Sequence, residues 1–126
     1  MVKLKKAKYA KEDVTLQTLL DMDGFKHTGE DKFRVEINAR KVKPTPYRPY
    51  GIKYSLVLLD PNGTRIIGYD NAHNVKIKTK RKKYGARRIE WDHKHNLEKI
   101  SIYEFESASQ LFNDFWEDVL QITPIY

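Results

Sequence analysis

The segment that most constrains the fold lies in the middle of the chain. Ile52 to Leu59 reads IKYSLVLL, the most apolar run in the sequence. Asp60-Pro61-Asn62-Gly63 follows, with proline at the second turn position and Asn-Gly after it. That tetrapeptide is a strong turn signal. Thr64 to Tyr69 then returns as the second arm of a hairpin. A first arm apolar along its length belongs inside a sheet rather than at its border. Upstream, Phe33, Val35, Ile37 and Ala39 alternate with Lys32, Arg34, Glu36 and Asn38. This period of two marks a half-solvated strand. Pro44, Pro46 and Pro49 interrupt the intervening KPTPYRPYG, because proline cannot donate to a ladder. The segment is a loop or an edge crossing, and its Tyr47, Arg48 and Tyr50 could stack on bases. Gly68 inside a strand suggests a bulge or the close approach of another backbone.

Both flanks of this hairpin system carry helical signals. Glu12 and Asp13 precede Val14, Leu16, Leu19, Leu20 and Met22, and Asp23-Gly24 closes the segment. Acids suit a helix N-terminus through the macrodipole. The stretch Ser107 to Ile122 predicts the better helix. Ser107 and Gln110 are spaced for a capping box. Leu111, Phe112, Phe115, Trp116, Val119 and Leu120 make one broad apolar stripe, with Asp114, Glu117 and Asp118 expected on the opposite face. Between the hairpin and this helix, Val75 and Ile77 alternate with lysines, as in a ribbon turning near Gly85. Arg88 to His95 alternates again, and a last strand is expected at roughly 99–106. The order predicts an α+β fold. It is an antiparallel β-meander sheet with a short N-terminal helix and a C-terminal amphipathic helix packed on it. With 126 residues, a single domain over 1–126 is expected.

Charge narrows the partners. Lys and Arg number 24 against 17 Asp and Glu, a net +7. Eight of these cations, Lys76, Lys78, Lys80, Arg81, Lys82, Lys83, Arg87 and Arg88, fall within residues 71–88 without one acid. Such a run is either a solvated face or a surface for anions, and phosphate neutralisation is the economical reading beside Tyr84 and Trp91. An acidic protein partner is the other reading. Lys3, Lys5, Lys6, Lys8 and Lys11 form a second basic stretch, either a frayed terminus or a nucleic-acid arm. There is no cysteine, which excludes disulfides, Cys-based zinc and iron–sulfur sites, and Cys nucleophiles. No run approaches the ~20 apolar residues of a membrane span. The first residues lack the apolar stretch of a secretory signal, so a cytoplasmic protein is expected. Nucleophile elbow, P-loop and dinucleotide motifs are absent from the sequence. So are a recognition-helix pair and an RNA-recognition-module motif.

Two motifs bracket the basic run: Gly68-Tyr69-Asp70-Asn71-Ala72-His73 and Asp92-His93-Lys94-His95. On a strand, His93 and His95 would share a face with Ile89 and Trp91, while Asp92 and Lys94 point away. Imidazoles titrate near neutral pH and serve as general acid and base. In RNA cleavage one would deprotonate the 2′-hydroxyl and the other would protonate the leaving oxygen. Lys or Arg would stabilise the charge on phosphorus. The candidate catalytic set is Asp70, His73, Asp92, His93 and His95. A structural reading stands beside it, in which the His-x-His pair caps a strand and the acids hold loops. A metal site would need a third ligand, such as His73 or Asp70, that cannot be assigned. No cofactor or metal is therefore expected. His27 reads as an ordinary surface residue near a turn.

Several segments taken together resemble the TumE-like family. They are Thr18-Leu19-Leu20-Asp21-Met22-Asp23-Gly24, Val42-Lys43-Pro44-Thr45-Pro46, Gly51-Ile52-Lys53-Tyr54-Ser55-Leu56 and Arg65 through His73. Asp92-His93-Lys94-His95 and Ser109 through Trp116 complete the set. The resemblance implies the toxin component of a type II toxin–antitoxin system, held inactive by a co-encoded helix-turn-helix antitoxin. By analogy with other small basic toxins it implies action on RNA as an endoribonuclease. The competing expectation is a non-catalytic protein that binds nucleic acid or the antitoxin. RNA and the antitoxin are the expected partners, with no membrane and with homodimerisation left open.

Overall fold

The computed structural model describes residues 15–44, 51–71, 84–92, 97–105 and 107–125. Two helices, α1 (Leu16–Asp21) and α2 (Ala108–Ile122), accompany β1 (Phe25–Thr28), β2 (Arg34–Lys41), β3 (Ile52–Leu59), β4 (Arg65–Asp70), β5 (Tyr84–Asp92) and β6 (Leu97–Phe105). The strands lie side by side in chain order and run antiparallel throughout. This is the α+β meander that the alternation and the central hairpin predict.

Register is set by burial. Val35 lies opposite Leu58, Ile37 opposite Leu56, and Leu56 in turn opposite Tyr69. All are buried on the face that the helices cover. A slip of one residue would turn each of them to the other face. Leu19 of α1 and Ala108, Leu111, Phe115 and Val119 of α2 close this core. Phe115 is fully buried and meets the Tyr69 ring edge-on at 5.9 Å between centroids. Truncating such an aromatic costs about 3–5 kcal/mol.

The turns use the chemistry that the sequence offers. The Asp60 carboxylate accepts from the backbone N–H groups of Asn62 and Thr64, and Gly63 takes φ +84°. Gly51 enters β3 at φ +68°, where a Cβ would lie 2.8 Å from the Val42 carbonyl oxygen. The Ser107 hydroxyl accepts from the Gln110 N–H, so the serine half of the expected box forms.

Four local expectations are corrected. Asp23-Gly24 stops α1 but also opens β1, which was not expected. The Asp23 carboxylate accepts from the Ala39 N–H and Gly24 N–H donates to the Ile37 carbonyl. His27 lies in that strand, exposed. The bulge falls at Ile66 rather than Gly68, since Leu58 faces Ile67 and Leu59 faces Arg65. Gly85 is not a turn but lies within β5, opposite Glu104. Asp114 and Asp118 do not face away from the apolar stripe. They reach the sheet, for the reason given next.

Candidate nucleic-acid interface

The Gly68–Asn71 motif shows how the strands sort side chains. Tyr69 turns to the helix side, where its hydroxyl donates to the Asp118 carboxylate. Asp70 turns to the open side and receives two hydrogen bonds from Arg87, Nε at 3.0 Å and an Nη at 3.2 Å. Asn71, one residue beyond the strand, continues the ladder with its side chain. Its Oδ1 accepts from the Tyr54 N–H and its Nδ2 donates to the Ile52 carbonyl.

Strand β5 repeats the alternation. Arg88 lies opposite Tyr69 and Arg87 opposite Asp70. The Arg88 guanidinium donates to Asp118 at 2.8 Å and to Glu90 at 3.2 Å, and stands 6.0 Å from the Tyr69 ring centre. Tyr103 joins from β6, donating to Asp114 and meeting the Tyr69 ring edge-on at 4.8 Å. Burial, then the neighbouring Asp118 carboxylate, pushes the Tyr69 hydroxyl well above the ordinary tyrosine range. Burial and Asp114 do the same to Tyr103. Burial opposes the charge on Arg88, but Asp118 more than compensates and raises its pKa.

The sequence carried a signal for this network. Asp114 and Asp118 are like charges at i and i+4, a spacing that by itself destabilises a helix. Two hydroxyls and a guanidinium on the sheet supply the compensation.

The open face collects a different population. Arg34, Arg40, Lys53, Arg65 and Arg87 stand on it at alternate strand positions. Arg34 pairs with Glu36 at 2.7 Å and Arg65 with Glu98 at 3.0 Å. Meanwhile α1 and α2 carry Asp21, Asp114, Glu117 and Asp118 and no Lys or Arg. The net positive charge of the chain therefore resides outside these two helices. Glu36, Val57, Leu59, Arg65, Trp91 and Glu98 also line a groove of about 450 Å³ on the open face. Sequence reasoning missed it, because its walls come from five strands.

Of the expected site residues, the structure places Asp70, Arg87 and Arg88 as described. Asp92 is the last residue of β5, opposite Leu97. His73, His93, His95, Lys76, Lys78, Lys80, Arg81, Lys82 and Lys83 lie outside the described residues, as do Tyr47, Arg48 and Tyr50. Topology still constrains the bracket. Asp70 is level with Arg87, and Asp92 comes five residues later in the same strand. At ~3.3 Å per residue the two backbone positions are roughly 17 Å apart. Residues 72–83 join β4 to β5 at the Asp70 end, and residues 93–96 join β5 to β6 at the other.

Among the described residues, no group of three or more His, Asp or Glu is placed to hold a metal ion, and no helix is long and apolar enough to cross a membrane. In comparison with known proteins, a family model described as Toxin TumE matches residues 8–123. No curated protein and no solved structure matches the chain.

Proposed function

Because the chain belongs to the Toxin TumE family, and so to the toxins of toxin–antitoxin systems with an antitoxin as partner, we propose that it acts on RNA as a small basic endoribonuclease. The observation that carries this reading is the one-sided charge. Among the described residues, the two helices hold carboxylates and no Lys or Arg, while Arg34, Arg40, Lys53, Arg65 and Arg87 stand on the open face of the sheet. A polyanion would approach on that side.

In this reading Lys76, Lys78, Lys80, Arg81, Lys82, Lys83 and Arg87 neutralise backbone phosphates. Asp70 is a positioning residue that holds the Arg87 guanidinium. Arg88 contributes through the fold, since Asp118 and Glu90 already occupy it. His93 and His95 divide the proton transfers. One imidazole takes the 2′-hydroxyl proton as that oxygen attacks phosphorus. The other, as imidazolium, gives its proton to the 5′-oxygen as the P–O5′ bond breaks. The products are a 2′,3′-cyclic phosphate and a free 5′-hydroxyl. Asp92 would orient one imidazole. His73, three residues after Asp70, belongs to the phosphate-binding end.

The test is purified protein incubated with RNA, with and without chelator, beside RNA that lacks the 2′-hydroxyls. Cleavage that requires the 2′-hydroxyl, survives chelation and is lost in His93→Ala and His95→Ala is expected. Intact RNA together with undiminished toxicity of both variants would overturn it. The roughly 17 Å between Asp70 and Asp92 favours a second reading, a toxin that binds RNA without cutting it. That reading expects salt-steep binding and unbroken RNA.

A further inference from the structure

Resting on the RNA reading above, we infer that the open-face groove receives a single unstacked guanine base. Three cross-strand pairs build it: Glu36 with Val57, Leu59 with Arg65, and Trp91 with Glu98. Val57 and Leu59 give an apolar floor, and Trp91 gives an aromatic wall. A volume of about 450 Å³ falls within the ~300–1,000 Å³ of small-ligand sites. The rim is polar and its charges are paired. Arg34 braces Glu36, and Arg65 braces Glu98.

These walls select by chemistry. With Arg34 on Glu36 and Arg65 on Glu98, the rim charges balance and leave no surplus of positive charge to draw a phosphate or an acidic peptide to this spot. A flat, neutral group with hydrogen-bond donors on one edge suits it. Guanine presents N1–H and the N2 amino group side by side, a donor pair that a carboxylate accepts bidentately. Its O6 and N7 are acceptors for a guanidinium such as Arg65. Adenine, cytosine and uracil lack that adjacent donor pair. Stacking on Trp91 would hold the ring, while phosphates on either side meet the surrounding cations. Trp91 is the next-to-last residue of β5 and Glu98 the second of β6. The connection that carries His93 and His95 in the sequence starts at that end.

The test uses the full chain with Trp116→Phe, which leaves Trp91 as the sole tryptophan. It is titrated with uncleavable 2′-O-methyl oligouridines carrying a central G, A or C, and with oligouridine alone. Trp91 fluorescence should quench most with the central G, which should bind about tenfold tighter than the others. Trp91→Ala, followed by anisotropy of labelled RNA, should lose about tenfold in affinity for the G oligomer. Trp91→Phe should keep most of it. Glu36→Gln or Glu98→Gln should erase the preference for G. Equal affinity for all four oligomers, or a G preference untouched by every one of these variants, would overturn the inference. RNA cleavage without base preference would sink the guanine site and leave the endoribonuclease standing. Selective G binding with intact RNA would do the reverse.

Discussion

Arg87 and Arg88 leave β5 in opposite directions, and each meets a carboxylate. Arg88 enters the layer beneath α2, where Asp118, Glu90 and the Tyr69 ring surround it. Arg87 stays on the open face with Asp70. The sequence makes them equal members of one cationic run. The structure sets one under α2 and the other on the open face, with the two side chains about equally exposed, at 27% and 28%. The comparison teaches that a count of cations is not a measure of binding surface. On a strand, the face a residue takes decides what its charge is used for.

The largest difference between the two faces should appear in stability. Asp118→Ala strips the Arg88 guanidinium and the Tyr69 hydroxyl of their acceptor. Removing one partner of a fully buried pair costs ~3–5 kcal/mol. Here the Arg88 and Asp118 side chains keep 27% and 20% of their exposure, so about 2–3 kcal/mol is expected. The Asp70–Arg87 pair is about equally buried, at 18% and 28% exposure, but Asp118 also accepts from the Tyr69 hydroxyl, so Asp70→Ala should cost less, about 1–2 kcal/mol. Urea denaturation of both variants measures this. Equal losses would break the comparison.

Alkaline titration sharpens it. In the folded chain Tyr69 and Tyr103 hold their protons more tightly than the ordinary value of 10.0. The stability they contribute is complete below pH 10 and is lost as pH rises beyond it. Melting temperature followed from pH 8 to 11.5 should therefore fall more steeply in the native chain than in Tyr69→Phe or Tyr103→Phe. Each of these variants starts about 1 kcal/mol lower at neutral pH, for the lost hydrogen bond. Parallel curves would show that the two hydroxyls do not couple to folding.

Much of this architecture was legible because it rests on local rules. The apolar run at Ile52–Leu59, the Asp60–Gly63 turn and the α2 stripe each obey a single period or turn preference, and each forms. What escaped depends on partners distant in sequence. β1 has only Phe25 as an apolar residue in Phe25–Thr28. Its strand character comes from pairing with β2 and from the Asp23 carboxylate on the Ala39 N–H. Asp114 and Asp118 read as solvent-facing because a helical wheel knows nothing of Tyr69, Arg88 and Tyr103. The open-face groove needed the order of five strands before Trp91 and Glu36 could line one groove. Of the acid–imidazole bracket around the basic run, only the acidic members Asp70 and Asp92 lie among the described residues. Asp70 is level with Arg87 near the middle of β5, and Asp92 ends that strand five residues further on.

Salt dependence of RNA binding should separate the two arginines by a smaller amount. Each phosphate contact removed lowers the log–log slope by about one unit. Arg87→Ala should lose about one such unit. Arg88→Lys, which keeps a cation near Asp118 and preserves the fold better than alanine, should leave the slope unchanged. A loss at Arg88 equal to that at Arg87 would mean that RNA reaches beneath α2.

The smallest effect is expected at Asp70→Asn, and it distinguishes two uses of the same carboxylate. Asparagine keeps the shape and one acceptor but removes the negative charge, so Arg87 loses an ion pair without losing its neighbour. Stability should change by less than ~1 kcal/mol, as for other partly exposed pairs. RNA affinity should rise a few-fold at low salt, because the open face gains a unit of positive charge, and the gain should fade as screening tightens near 0.15 M. If Asp70 positions Arg87 for the reaction, cleavage per bound RNA should fall while binding holds or improves. A fall in affinity instead would place the Asp70 carboxylate itself in contact with RNA. The open face would then owe its binding to a directed hydrogen bond as well as to charge.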